Sequence, residues 1–250
     1  MATRGLLSGG VASHYDPVLS STYQTGLWKN CPLLEYTFDP SIGVLLDERF
    51  DSYDAAATTG DYVLTQATTG TAAISTAAPG VLEIDSNSTT ATQGVNLQRA
   101  KSMFLPASGK SIWAEFAFKI VNTYDKAEIF VGLSELDTTL IAASANSSAN
   151  HIGWQCVTDD GVLLFTNEKA GAGATAAAAT IAEDTYIRLG FFYDGTADTV
   201  QQYINGVATG SAAVTANIPK VALYPSFVCQ SGGTNDPIMH LRGYRIFQLR

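Results

Sequence analysis

The 250-residue chain carries a net charge of −9 at pH 7, from 14 Lys and Arg against 23 Asp and Glu, and only 15% of its residues are charged. That composition excludes a coiled coil and argues against nucleic-acid binding or docking on an anionic membrane, both of which rely on clustered Lys and Arg. Ala, Gly, Ser and Thr supply 102 residues, yet enough large apolar side chains remain for one large all-β domain or two small ones.

In chain order, residues 1–46 mix Gly, Pro and Ser with large apolar side chains, and no period of 2 or 3.6 persists. Pro17, Pro32 and Pro40 each bias the preceding residue toward extended backbone. The reading is an extended N-terminal arm whose anchors are Tyr15, Tyr23, Leu27, Trp28 and Phe38. Such a segment lies either on its own domain or on a neighbouring subunit. Residues 1–20 lack the apolar core of a signal peptide, and no stretch reaches the ~18 apolar residues of a membrane span.

From residue 47 onward, short alternating runs take over. The clearest is 111–121, where Ile112, Ala114, Phe116, Phe118 and Ile120 share one face and Trp113, Glu115, Ala117 and Lys119 the other. Further strands are expected at 62–65, 80–85, 94–99, 127–133, 151–157, 161–167, 186–193, 199–204, 222–229 and 239–249. Asp159-Asp160-Gly161, Asp194-Gly195 and Asn205-Gly206 provide the turn chemistry between them. The Ala-rich stretch 170–182 has no apolar stripe to dock and reads as a flexible loop. Cys31, Cys156 and Cys229 read as reduced, buried thiols. Asn87 and Asn146 head glycosylation-type triplets that read more simply as polar turns. These elements amount to a two-sheet antiparallel sandwich over 47–250.

Catalytic chemistry is sparse. Paired carboxylates of a glycanase must stand close together, whereas Glu115 is alone on its strand and Glu128 and Glu135 are seven residues apart. His14, His151 and His240 share no metal-ligand spacing. Asp159, Asp160, Asp194 and Asp198 are turn residues rather than a hard-cation site. No Gly-x-Ser-x-Gly elbow or Gly-rich phosphate loop occurs, so neither enzyme activity nor a metal or cofactor is expected. Trp113, Trp154 and Tyr203 could form a sugar-stacking face or else fill the core.

Three segments carry a resemblance to a known family. Gly94-Val-Asn-Leu-Gln-Arg99 with the strand at 111–118 is one; the pair 186–194 and 199–206, ending in Asn205-Gly206, is the second; the closing strand 239–249 is the third. In this order they resemble the concanavalin A-like, laminin G-type jelly roll. The long aromatic arm ahead of an acidic, small-residue-rich jelly roll also resembles capsid decoration (cement) proteins of tailed bacteriophages. That resemblance implies a structural virion protein made in the bacterial host cytoplasm. It would sit on the capsid exterior as a homotrimer, its arm clamping the major capsid protein. A carbohydrate-binding lectin-like module, or an adhesin displayed on the virion, is the alternative.

Overall fold

The computed structural model describes residues 6–8, 11–13, 26–54, 60–66, 69–142, 147–158 and 160–250. In chain order the elements are β1 (Leu6–Ser8), β2 (Val11–Ser13), helix α1 (Leu33–Phe38), a 3-10 turn (Pro40–Ile42), β3 (Gly43–Glu48), β4 (Val63–Gln66), β5 (Thr71–Ile74) and β6 (Leu82–Asp85). Then come β7 (Gly94–Gln98), β8 (Ile112–Val121), β9 (Ala127–Ser134), β10 (His151–Cys156), β11 (Val162–Lys169) and β12 (Ala172–Thr180). The chain ends with β13 (Ile187–Asp194), β14 (Thr199–Ile204), β15 (Val207–Val214), β16 (Tyr224–Ser231) and β17 (Ile238–Leu249).

Two antiparallel sheets result. One has seven strands in the order β12-β11-β10-β9-β16-β7-β4; the other has eight, β15-β14-β13-β8-β17-β6-β5 with β3 also on β17. The 12-residue β17 pairs with β8 along one side, while on its other side β6 meets its first residues and β3 its last. The register shifts between Leu241 and Gly243, where Gly243 takes φ +156° and a Cβ would meet the Glu48 carbonyl oxygen at 2.6 Å. A glycine is needed there because the β3 backbone approaches so closely.

The inner faces follow the period-2 pattern. Phe116 and Phe118 of β8, Phe191 of β13, Trp154 of β10, Phe165 of β11 and Phe227 of β16 are all fully buried in one core. Burying each such side chain contributes about 2–3 kcal/mol, so the strands are held by interdigitation rather than by disulfides. All three cysteines are free, and burial pushes each thiol up.

Two expectations change. Residues 172–180 form β12 rather than a flexible loop: they pair with β11 from Lys169↔Ala172 to Val162↔Thr180. Ala170 and Gly171, both with positive φ, make the turn into it. Alanine on both faces of an edge strand leaves no hydrophobic contrast, which hid it from a periodicity argument. The N-terminal segment is also not uniformly extended. Residues 33–38 turn into a helix, whose end is set by Pro40, which holds Asp39 extended at φ −135°, ψ 89°. Residues 43–48 already belong to the eight-stranded sheet.

Candidate functional site

The two sheets present very different outer faces. That of the eight-stranded sheet is apolar where β8, β13 and β17 meet, and it is covered by the chain's own N-terminal segment. Leu27, Trp113 and Phe247 are buried together, with Trp28, Cys31, Leu33, Tyr36, Phe192 and Tyr203 packed around them. Trp113 packs at a tilt against Phe192 at 4.9 Å and Phe247 at 5.8 Å, and Tyr36 meets Phe247 edge-on at 5.5 Å. Gly190 makes room for this seat, since a Cβ there would lie 2.8 Å from Leu27 Cδ2. Trp28 Nε1 donates to Glu115 Oε2 at 3.2 Å, and the Arg245 guanidinium lies 5.9 Å from the Trp28 ring centre.

The outer face of the seven-stranded sheet is polar. Between its apolar inward positions β7 presents Asn96 and Gln98, β9 Glu128 and Ser134, β10 His151 and Gln155, β11 Thr166 and Glu168, and β16 Ser226 and Gln230, all of them buried. They are buried because the described residues 135–142 and 147–150 lie across this face as a strap. Leu140 and Ile141 of the strap pack on Phe130 and Val228, an apolar island in the middle of the face. Polar ties hold the rest. Gln98 Nε2 donates to the Glu135 carbonyl at 2.8 Å while its Oε1 accepts from Asp137 N at 2.8 Å. Asn96 Nδ2 donates to the Asp137 carbonyl at 2.6 Å. At the far end His151 Nδ1 donates to the Ala149 carbonyl at 2.8 Å, which leaves Nε2 to accept from Thr166 Oγ1 at 2.8 Å. Burial lowers the His151 pKa from 6.5 to about 4, so the ring is neutral.

The strap divides the face into two cavities. One, of about 370 Å³, lies among β4, β7, β16 and strap residues 138–141. Its lining is uncharged: hydroxyls of Thr65, Thr92, Thr138 and Thr139, amides of Gln66, Asn96 and Gln230, and the apolar edges of Val95, Leu140, Ile141 and Val228. The other, of about 350 Å³, lies over β10, β11 and β12 against Ser147 and Ser148. Each cavity is lined by a residue with a buried polar atom that has no hydrogen-bond partner among the described residues, Asn96 with its Oδ1 in the first and Gln155 with its Nε2 in the second.

No protein-family model and no curated protein matches this sequence. Solved structures do match. The Emp47p carbohydrate recognition domain superposes with a TM-score of 0.58 at 10% identity, covering 84% of this chain and 98% of its own. The seed lectin of Lotus tetragonolobus gives 0.56 at 11%, covering 83% and 99%, and an endo-1,3-beta-glucanase from Streptomyces sioyaensis gives 0.55 at 12%, covering 84% and 96%. The fold is the concanavalin A-like jelly roll.

Within this jelly roll the three aromatics expected to form a ligand platform are not neighbours. Trp113 and Tyr203 lie on the eight-stranded sheet beneath the N-terminal segment, while Trp154 points into the core and packs edge-on against Phe165 at 5.3 Å. A buried ring between two sheets cannot stack on a sugar. Of the arm anchors, Tyr15 and Tyr23 fall outside the described residues. Leu27 and Trp28 pack on the chain's own domain, and Phe38 is 82% exposed. The residues that do line cavities were passed over in the sequence. Their signal was amides, hydroxyls and acids at every second position of strands whose other positions are apolar, as in Val95-Asn96-Leu97-Gln98.

Glu128 and Glu168, the acids on the strands of this face, do not make a hydrolytic pair. Glu128 is level with Gln230 at one end of β9, and Glu168 is level with His151, itself level with Ser134 at the other end. Strand geometry puts these two acids roughly 20 Å apart, far beyond the roughly 5–9.5 Å that glycoside hydrolysis requires. Glu128 is engaged by Gln230 Nε2. Among the described residues no group of three metal-ligating side chains occurs. A separate charged cluster, in which Arg99 pairs with Glu48 and Asp61 beside the bonded hydroxyls of Tyr62 and Tyr244, is closed on itself and ties β3 and β7 to β17.

Proposed function

We propose that this domain is a lectin-like module that binds a neutral carbohydrate, without cleaving it, in the cavity among β4, β7, β16 and residues 138–141. The observation that carries this reading is Asn96. The residue is 7% exposed, its Nδ2 is committed to the strap, and its Oδ1 has no partner among the described residues, whose lining here is uncharged hydroxyls and amides. A buried acceptor costs free energy unless something donates to it, and a sugar hydroxyl both donates and accepts. The apolar edges of Leu140, Ile141 and Val228 suit the C–H face of a pyranose. The lectins and carbohydrate recognition domain that share the fold support the same class of ligand.

The test is a glycan array followed by titration calorimetry. Binding to a neutral glycan should weaken about tenfold or more in Asn96→Ala, the equivalent of one hydrogen bond, and be unchanged in Trp113→Phe. An array with no neutral glycan bound, or affinity indifferent to Asn96→Ala, refutes the site.

Virion attachment is a second proposal with a narrower basis. Phe38, at the end of α1, is the described arm anchor still open to a major capsid protein or to a neighbouring subunit of a trimer. Co-sedimentation with capsids that survives Phe38→Ala unchanged would remove that support.

A further inference from the structure

On the other side of the strap, the second cavity has a different chemistry. Its floor is Thr166 of β11 with Gln155 of β10, its wall is the backbone of β12 around Gly173, and its rim is Ser147 and Ser148. Gln155 is 2% exposed; its Oε1 accepts from Ser147 N, and its Nε2 is a buried donor with no acceptor among the described residues. Glu168 is 8% exposed, lines the cavity and forms no ion pair among the described residues. Burial pushes its carboxyl up. Room for that carboxylate comes from Gly173, where a Cβ would collide with Glu168 Oε2. An unpaired carboxylate in a restricted pocket lacks a cation, and the net charge of −9 raises the local concentration of cations around the whole molecule. Glu168 and Gln155 both line the cavity, and Glu168 is level with His151, four residues along β10 from Gln155, which puts their Cα atoms roughly 14 Å apart. A ligand that meets both carries a cationic donor toward Glu168 and an acceptor toward Gln155.

We infer that this cavity is a second sugar site selective for an amino sugar. The ammonium of a hexosamine meets the Glu168 carboxylate, and a ring hydroxyl on its far side accepts from Gln155 Nε2. The strap residues Leu140 and Ile141, packed on Phe130 and Val228, stand between this site and the neutral one, so the two sites take separate sugar units rather than one continuous glycan segment. The sugar part of this inference rests on the carbohydrate reading above, whereas the cation preference does not.

The test is amide NMR of the full 15N-labelled chain titrated with D-glucosamine, D-glucose and methylammonium. D-Glucosamine should shift the Gln155 side-chain amide and bind at least tenfold tighter than D-glucose at this site. In Glu168→Gln that preference should fall to parity, with the dispersed spectrum reporting an intact fold. Equal shifts with D-glucosamine and D-glucose in the unmutated protein, a preference that survives Glu168→Gln, or an unmoved Gln155 amide would each overturn the inference. Methylammonium binding as tightly as D-glucosamine would overturn the sugar class. Failure here is separable from failure of the neutral site: D-glucose that moves Asn96 with no Glu168-dependent preference removes only this inference. A Glu168-dependent preference with Asn96 unmoved by any neutral sugar removes only the other reading.

Discussion

Acidification should loosen the strap through His151. The ring is buried, ties the strap at the Ala149 carbonyl, and has its pKa lowered from 6.5 to about 4. Above pH 6.5 it is neutral in both folded and unfolded chains and makes stability no more pH-dependent. As pH falls from 6.5 toward 4, the unfolded chain takes up a proton that the folded chain refuses, so stability is lost across that window and levels off below it. Each pH unit in the window costs about 1.4 kcal/mol, which makes the loss between about pH 7.5 and about pH 4.5 roughly 2–3 kcal/mol. Glu168 lies opposite His151 on β11, and its shift has the opposite sign, raised by burial, so it gains stability as pH falls. The comparison therefore belongs in a Glu168→Gln background, with and without His151→Gln, by urea titration across the window. The chain that keeps His151 should lose roughly 2–3 kcal/mol more than the chain without it. Parallel stability–pH curves would refute the reasoning, since a ring that titrates equally in both states contributes no slope.

Two further outcomes follow from packing. Leu27→Ala should destabilise the protein by about 2–4 kcal/mol, as for a buried leucine in a seat that cannot collapse; thermal or chemical unfolding within about 0.5 kcal/mol of the parent would mean that the N-terminal segment is not bound to the eight-stranded sheet. Trp154→Phe should cost less than the about 3–5 kcal/mol of a large aromatic truncation to alanine, because it also removes a buried Nε1–H that has no acceptor. Calorimetry should find glycan affinity unchanged in that variant, and a loss of binding would return Trp154 to the ligand face.

How much of this was legible beforehand can be traced through particular residues. Ile112, Ala114, Phe116 and Phe118 announced a half-buried strand, and β8 is that strand with those side chains in the core. Asn205-Gly206 announced a turn after the strand at 199–204, and both residues have positive φ there, but the strand β15 that the turn leads into carried no expectation. The edge strand β12 escaped notice because alanine carries no facial contrast, and the helix at 33–38 because six residues are too few for a period to show. The candidate site was misplaced for a different reason. Aromatic rings attract suspicion in a sequence, yet Trp113 is covered by Leu27, 86 residues earlier in the chain, and Trp154 faces inward.

The sequence by itself determined the central strands, the sandwich class and the two faces of the strands that alternate, because side-chain alternation is a local property of extended backbone. Only the tertiary structure decided which outer face stays available. Whether the arm lies on β8 and β17, and where residues 138–141 and 147–148 leave two polar cavities open over the seven-stranded sheet, depends on contacts between segments remote in the chain. No local period encodes those contacts, so Asn96, Gln155 and Glu168 became candidate binding groups only once the strap above them and the strands beside them were in place.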